Sequence, residues 1–478
     1  MRNANGSGHE QRRQTDGPGK DEVNRMNDFR KTAQEMLEFI RISPTCFHAV
    51  ANIGRMLEEA GFQQLQEKEE WKLEKGGRYY TERNDSSVIA FVIPEKEVGI
   101  RGFHMAAAHS DSPCFKIKEK PELTVEEHYL RLNTEKYGGM ILSTWLDRPL
   151  SVAGRLAVKN GNGIEGRLVN IDRDLCVIPN VAIHMNREMN KGVEYNPQVD
   201  LLPLLADVSF DEYDAHTTYD AQTASENAEE QPETVEKPTL AALAAETAGV
   251  DAETILGEDL FLYTRQEGKM IGAKGEFVLS PRLDDLQSAF ALTKAFTEST
   301  PAEYINLCAV FDNEEVGSGT RQGADSTFLE DTLQRITEGL QEGHSTYLRW
   351  VADSFLISAD NAHAVHPNHP EKADPTNRPY LNGGIVIKYH GSQKYTTDGI
   401  SAARMKDYCE RAKVPYQTYA NRSDIAGGST LGNISTAHVS VSSVDIGLPQ
   451  LAMHSAVETA GMKDTEYAVR ALKEFWGE

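Results

Sequence analysis

Short apolar segments of strand length alternate with amphipathic helical segments through the second half of the chain. The predicted strands after Glu258 are EDLFLYT, YINLCAVF, FLIS, GIVIKY and VSVSSVDIG, and the predicted helices are LDDLQSAFALTKAF, GISAARMKDYCERA and TEYAVRALKEFW. Two earlier runs, SVIAFVI and GFHMAAA, are also of strand length. Strands that alternate with helices favour a sheet covered on both faces. The pattern therefore predicts an α/β fold in which helices cover a mixed central sheet.

Changes in composition divide the 478 residues into parts. Residues 1–25 are predicted to be a disordered tail, and residues 26–117 and 258–478 to form the α/β domain. Residues 118–257 contain short alternating segments such as GRLAVK and GRLVNI, which indicate a separate β-rich unit. Within it, residues 211–253 are acidic and poor in aromatic residues, which is typical of a flexible, solvated segment whose end can form a helix.

Charge and cysteine content restrict the partners and the compartment. The formal net charge of −24 opposes binding to nucleic acid or to an anionic membrane surface. No stretch approaches the roughly 20 apolar residues that cross a bilayer, and the N-terminus lacks the apolar region of a secretory signal. The five cysteines are scattered and never form a C-x-x-C pair. The sequence therefore predicts a cytoplasmic protein with reduced thiols.

Side chains that bind metals stand at the ends of predicted strands. They are His109 and Asp111 in MAAAHSDSP, Asp284 and Asp285 in SPRLDD, Glu314 and Glu315 in AVFDNEEVGS, Asp360, His363 and His366 in FLISADNAHAVHP, and His454 in GLPQLAMHSAVE. Ligands of open α/β sheets bind outside the carboxyl ends of the strands, so these loops can converge on one crevice.

The mixture of imidazoles and carboxylates indicates the kind of site. It suits zinc and its first-row neighbours better than magnesium or calcium, and its size fits two metals roughly 3.5–4 Å apart. Each part has a simpler explanation when taken alone: Asp284 or Asp285 as a helix N-cap, His454 as a buried structural histidine, and Glu314 with Glu315 as a solvated pair. Their recurrence at one structural position favours a two-metal hydrolase.

The same segments, in the same order, closely resemble the motifs of aspartyl aminopeptidases and their bacterial and vacuolar relatives. The matching segments are HSDSP, SPRLDD, FDNEEVGS, SADNAHAVHPN and LAMHS, together with SPTCFHAV near the N-terminus and STWLDRPLSVAGR in the β-rich unit. The resemblance extends from about Phe29 to Trp476 and omits most of the acidic segment. It implies a dinuclear zinc aminopeptidase, with Co²⁺ or Mn²⁺ as other possible ions. It further implies a catalytic α/β domain interrupted by a β-rich dimerisation domain, and assembly into tetrahedral dodecamers.

Metal ligands follow from the resemblance, residue by residue. It implies that His109 and Asp360 hold one metal and that Glu315 and His454 hold the other. Asp284 would bridge the two ions.

Five further roles are implied in the same way. Glu314 would be the general base, and Asp111 would orient the first histidine ligand. Lys388 would reach the acidic side chain of the substrate's first residue, and His363 would lie on the substrate side. His184 would come from a neighbouring subunit to complete the site.

Several functions remain compatible with the sequence. The leading prediction is an aminopeptidase that removes N-terminal residues, preferably Asp or Glu, from peptides. The segment Ala426-Gly427-Gly428-Ser429 stands where eukaryotic aspartyl aminopeptidases carry a proline and a cysteine, so a neutral or aliphatic preference stays open. A deacylase or carboxypeptidase on the same metals is a second alternative, because related folds host both reactions. A non-catalytic scaffold would be expected to have lost a ligand or the base, and this chain keeps the full set.

Overall fold

The computed structural model describes residues 20–95, 99–208, 239–428 and 430–478. The helices of this part of the chain are α1 (Lys20–Arg41), α2 (Cys46–Glu59), α3 (Pro197–Asp200), α4 (Leu240–Ala248), α5 (Leu283–Thr297), α6 (Phe328–Gly339), α7 (His344–Ala352), α8 (Gly399–Arg411), α9 (Leu431–Ser435) and α10 (Asp464–Trp476). The strands are β1 (Gln63–Gln64), β2 (Arg78–Arg83), β3 (Ser87–Val92), β4 (Phe103–His109), β5 (Cys114–Val125), β6 (Tyr129–Tyr137), β7 (Leu150–Asn160), β8 (Gly163–Asn170), β9 (Leu204–Asp207), β10 (Ile255–Thr264), β11 (Lys269–Ile271), β12 (Phe277–Ser280), β13 (Ile305–Phe311), β14 (Phe355–Ala359), β15 (Ala362–His363), β16 (Ile385–Tyr389), β17 (Tyr416–Ala420), β18 (Ser442–Gly447), β19 (Pro449–Leu451) and β20 (Glu458–Gly461).

A nine-stranded sheet in the order β1-β2-β3-β13-β4-β14-β18-β16-β17 forms the centre of the larger domain. Strands β13, β4, β14 and β18 are parallel, whereas β3 and β16 run antiparallel to their neighbours, so the sheet is mixed as predicted. Successive side chains of a strand point to opposite faces. In β4, Ala106 and Ala108 accordingly pack with α1, α2, α5, α8 and α10, while Met105 and Ala107 pack with α6 and α7.

The β-rich unit is a separate antiparallel sheet in the order β8-β7-β10-β5-β6-β9, with its own apolar core. Its limits differ from the predicted ones. Strand β5 begins at Cys114, and β10 pairs with β7 and β5 of this sheet. The predicted boundaries at 118 and 258 therefore fall inside strands, because an apolar strand pattern does not reveal which sheet the strand joins. We refer to residues 114–264 as the insertion.

Two predicted flexible regions are only partly described. Helix α1 begins at Lys20, so the predicted tail of residues 1–25 is too long, and residues 1–19 lie outside the described residues. Most of the acidic segment also lies outside them. Its end forms α4, a helix that the sequence predicts there, and Thr239 caps this helix by accepting a hydrogen bond from the backbone N–H of Ala242.

A third sheet, β11-β12-β20-β19-β15, was not predicted. It consists of strands of two to four residues, which are too short to leave a clear period in the sequence. It carries the loop from β19 to β20, and with it His454, toward the carboxyl ends of the parallel strands. No helix among the described residues has the length and apolar character needed to span a membrane.

Candidate metal centre

His109 is the last residue of β4 and is almost fully buried, with 1% of its surface exposed. Its Nδ1 lies 3.1 Å from the carbonyl oxygen of Asp111 and 3.3 Å from Oδ1 of the same residue. A proton on Nδ1 satisfies these acceptors and leaves the Nε2 lone pair free. That Nε2 lies 3.5 Å from Oδ1 of Asp284. The contacts orient His109 as expected of an imidazole that ligates a metal.

Asp284 lies between two imidazoles. Besides the contact to His109, its Oδ2 lies 3.4 Å from Nε2 of His454. Asp284 and Asp285 have non-helical backbone angles within the first turn of α5, and the N-cap position is occupied by Arg282. Asp285 instead accepts a hydrogen bond from the backbone N–H of His109 at 3.2 Å. The N-cap explanation for these two aspartates is therefore wrong.

Glu315 and His454 form the other half of the cluster. Glu315 Oε1 lies 3.4 Å from His454 Nε2. Both glutamates follow β13 in a short 3₁₀ helix, Glu314–Val316. Their backbone N–H groups donate to Oδ1 and Oδ2 of Asp111, each at 3.2 Å. The Asp111 carboxylate thus positions both this turn and the imidazole ring of His109.

Three overlapping groups of side chains have ligand atoms within 4.8 Å of one another. They are His109, Asp284, Asp285 and Asp360; His109, Glu314 and Glu315; and Asp284, Glu315 and His454. The first and third groups share Asp284, which is the residue predicted to bridge two ions. All five predicted metal ligands therefore lie in one cluster.

Buried carboxylate oxygens without a hydrogen-bond partner test whether this cluster fits metal ions. Asp284 Oδ1, Asp285 Oδ1 and Glu315 Oε1 are such atoms. Uncompensated buried carboxylates are unfavourable, and a cation would compensate them. Two imidazoles with several carboxylates form a donor set that suits zinc. The residues present therefore fit a pair of divalent ions.

Glu314 belongs to the second of the three ligand groups, with His109 and Glu315, but is not one of the five predicted ligands. Burial raises the pKa of its carboxyl to about 7, an effect that His109 opposes and Asp360 reinforces.

Lys388 lies in β16 and is buried, with 3% of its surface exposed. Its Nζ is 3.7 Å from Oδ1 of Asp360 and 5.5 Å from the ring centre of Tyr395. Burial lowers the pKa of Lys388, but Asp360 and Tyr395 outweigh burial and raise it above its usual value. A solvated lysine at a strand end, the alternative explanation, is therefore wrong.

The other predicted histidines, His363, His366 and His184, belong to none of the three ligand groups. His363 is exposed in β15, with its ring 6.1 Å from that of Tyr419. It lines a cavity of about 430 Å³ together with His366. His184 lies in an exposed turn of the insertion rather than in a strand, and it belongs to none of the three ligand groups.

Two contributors were missed in the sequence. Glu458 is buried, and it accepts hydrogen bonds from the backbone N–H of His454 at 2.7 Å and of Asp284 at 3.0 Å. Its position four residues after a candidate ligand was the available signal. The second contributor is the segment of residues 137–141 in the insertion, whose Tyr137 donates a hydrogen bond to Asp111 at 2.7 Å. No local pattern marks that contact, because it joins two domains.

The geometry agrees with comparisons to known proteins. The sequence profile of the aminopeptidase I zinc metalloprotease (M18) family matches residues 39–476. A probable M18 family aminopeptidase 2 of Clostridium novyi is 47% identical over 448 residues, which are 93% of this chain and 98% of the relative.

Solved structures give the same result. The structure described as the cryo-EM structure of the Ape4 and Nbr1 complex has a TM-score of 0.86 and 36% identity, over 95% of this chain and 86% of that one. The mApe1 dodecamer of Saccharomyces cerevisiae has a TM-score of 0.77 and 26% identity, over 94% and 97%. The α/β fold with its inserted β-rich unit is thus the fold of these aminopeptidases, and the chain belongs to the M18 family of zinc metallo-aminopeptidases.

Proposed function

We propose that this chain is an aminopeptidase that uses two divalent ions, Zn²⁺ foremost, to hydrolyse the N-terminal residue of peptides, with a preference for Asp or Glu. The observation that carries the proposal is the position of Asp284, whose two carboxylate oxygens face His109 at 3.5 Å and His454 at 3.4 Å. A carboxylate between two imidazoles is the arrangement that a bridging ligand needs.

The residues divide into two sets around Asp284. His109 and Asp360 would hold one ion, and Glu315 and His454 the other. When bound, such ions polarise the scissile carbonyl and lower the pKa of the attacking water. The Asp111 carboxylate contacts Nδ1 of His109 and accepts hydrogen bonds from the backbone N–H groups of Glu314 and Glu315. Asp111 therefore orients the site.

Glu314 is the proposed general base. Its backbone is held by Asp111, while its side chain can exchange a proton with water in the crevice. Glu314 would take a proton from the water as the water oxygen bonds to the carbonyl carbon. It would return that proton to the amide nitrogen as the carbon–nitrogen bond breaks, which releases a neutral amine.

The preference for acidic residues rests on Lys388. The buried ammonium group of Lys388 contacts Asp360. When Asp360 ligates a metal ion, this contact weakens, and the ammonium group can then pair with a substrate carboxylate. His363 borders the neighbouring cavity and is the proposed substrate-side histidine. A neutral or aliphatic preference is the alternative, because Gly427, in the segment 426–428, lines the same cavity.

Self-association into a dodecamer is part of the proposal. The yeast relative mApe1 forms a dodecamer. His184 is exposed on the insertion and could reach the site of a neighbouring copy. Light scattering of the purified protein tests the assembly, and a monomer would leave His184 without a role.

We also propose a cytoplasmic location, since all five cysteines are free thiols and four of them are buried.

The activity is tested with one purified sample. Bound zinc is measured, and hydrolysis rates of Asp-, Glu-, Leu- and Ala-anilides are compared. We expect zinc in the protein and faster hydrolysis of the acidic anilides. Equal or faster hydrolysis of Leu-anilide would replace the acidic preference with a neutral one. Cleavage of acetylated substrates without cleavage of free-amine substrates would identify a deacylase instead.

A further inference from the structure

The insertion sends one segment, residues 137–141, across to the metal centre. We call it the insertion strap. It begins at Tyr137, where β6 ends in a pair with Cys114 of β5, and it leads into the 3₁₀ helix Leu142–Trp145. The strap therefore belongs by its backbone to the β-rich sheet, yet its contacts are with ligands carried by the catalytic domain.

The first contact is made by the side chain of Tyr137. Its hydroxyl donates to Oδ2 of Asp111 at 2.7 Å and accepts from Nδ2 of Asn313 at 2.8 Å. Asp111 in turn holds the imidazole of His109 and the backbone of Glu315. Tyr137 therefore orients the carboxylate on which these two ligands depend.

Gly138 makes the second contact by its close approach to Glu315. A Cβ atom on Gly138 would lie 3.1 Å from the Cβ and 3.4 Å from the carbonyl oxygen of Glu315. Its backbone angle φ of +78° is also one that residues with a side chain rarely adopt. An added methyl group would therefore strain the backbone of Gly138 and press on Glu315, which would have to shift by a few tenths of an ångström.

Gly139 and Ile141 make the third contact, on His454. The carbonyl oxygen of Gly139 accepts from Nδ1 of His454 at 2.5 Å, and the N–H of Ile141 donates to the carbonyl oxygen of His454 at 2.9 Å. A proton on Nδ1 leaves Nε2 free to face Asp284 and Glu315. The strap thereby selects the ring nitrogen that is presented to a metal.

We propose that the insertion strap is a positioning element of the metal centre, which sets the orientation of Asp111, Glu315 and His454 from a domain that contributes no ligand in the same chain. This inference rests on the proposed function. Its consequence is that metal retention depends on how the insertion docks on the catalytic domain, in addition to any role of the insertion in assembly.

The test uses Co²⁺ alone, titrated into the metal-free full-length protein and followed by its visible absorption. Gly138→Ala and Tyr137→Phe are the strap variants. Gly161→Ala is the matched glycine control, because Gly161 lies in the β7–β8 turn with φ of +58° and has no atom within 4 Å of an added Cβ. Tyr263→Phe is the matched tyrosine control, because its hydroxyl donates a 2.7 Å hydrogen bond to Asn170, within the insertion.

We expect each strap variant to weaken Co²⁺ binding by about 10- to 100-fold and to alter the absorption spectrum, which is the usual effect of losing a residue that orients ligands. The two controls should bind within about threefold of the wild type. The melting temperature of each metal-free protein is measured alongside. If Gly138→Ala lowers that temperature more than Gly161→Ala, the isosteric Tyr137→Phe decides.

Wild-type affinity and spectrum in both strap variants would overturn the positioning role while leaving the metallo-aminopeptidase proposal intact. Equal weakening in strap and control variants would overturn it as well, because the effect would then be general destabilisation. A wild-type protein that binds no Co²⁺ would overturn both proposals.

Discussion

The Nζ atom of Lys388 lies 3.7 Å from Oδ1 of Asp360, and both side chains are buried beside the proposed metal centre. A buried ammonium group is stable only with a partner. Here that partner, Asp360, is also a proposed metal ligand. The pair therefore joins a residue proposed to recognise the substrate with one proposed to bind a metal. The pair explains why a lysine is tolerated in this position, and it makes the specificity testable.

Replacing Lys388 by methionine keeps the length of the side chain and removes its charge. We expect the kcat/KM for Asp- and Glu-anilides to fall by at least about tenfold more than that for Leu-anilide, since a lost charged hydrogen bond corresponds to roughly 1.5–3 kcal/mol. Lys294→Met, which removes an ion pair between Lys294 on α5 and Glu298 just beyond the helix, serves as control and should not change the ratio. Equal losses on acidic and neutral substrates would exclude Lys388 from the specificity.

Replacing Glu314 by glutamine should separate catalysis from metal binding. The amide keeps the shape of the side chain but cannot accept a proton, so we expect kcat to fall by about 10²–10⁴-fold with the zinc content unchanged. Glu315→Gln should instead lower the zinc content, because it removes a ligand charge. Glu338→Gln, at an exposed position of α6, is the control. An active Glu314→Gln enzyme would disprove the proposed base.

Metal removal should lower the stability of the wild-type protein. An ion that binds only the folded state stabilises it by about 2.7 kcal/mol when its free concentration is 100 times the Kd. We expect chelation to lower the melting temperature of the wild type and added Zn²⁺ to restore it. The Glu315→Gln protein should respond much less. An identical response of both proteins would argue against Glu315 as a ligand.

Acid should destabilise the fold through His104. This residue is buried between the rings of Tyr304 and Phe475, whose centres lie 3.7 and 4.6 Å from its own. Burial lowers its pKa to about 3, although the carbonyl oxygen of Phe475 opposes that shift. The neutral ring therefore contributes its full stability above the unfolded pKa of about 6.5, and this contribution is lost as the pH falls from there toward 3.

The free energy of unfolding, measured by denaturant titration between pH 7 and pH 4, tests this expectation. His104→Phe keeps the stacked ring without taking up a proton, so its stability should decline less steeply with falling pH. The slope for one proton is about 1.4 kcal/mol per pH unit. Exposed His344, replaced by phenylalanine, is the control. Parallel profiles for His104→Phe and the wild type would refute the expectation.

Much of the catalytic domain follows from local patterns in the sequence. The apolar runs that end at His109 and Phe311 are strands β4 and β13, buried on both faces, and their length and β-branched or small residues suffice to identify them. Because ligands bind at the carboxyl ends of parallel strands, the convergence of His109, Glu315 and Asp360, at the ends of β4, β13 and β14, could also be predicted.

The assignment of strands to sheets could not be predicted in this way. Strand β10 has the pattern of a core strand, yet it pairs with β7 in the insertion. The short strands β15 and β19 carry too few residues for a period to be detected. Pairing is a contact between distant segments, and a local pattern contains no information about its partner.

The same distinction between local patterns and long-range contacts applies to the metal centre. The sequence by itself determined which residue types could bind a metal and that they stand where strands end. Only the tertiary structure decided their orientation, through the Asp111 carboxylate that holds Glu315, the Glu458 carboxylate that holds His454, and the insertion strap that contacts both ligands. The physical reason is that residue chemistry and strand period are local properties. The hydrogen bonds that orient a ligand, in contrast, join segments up to 315 residues apart in the chain.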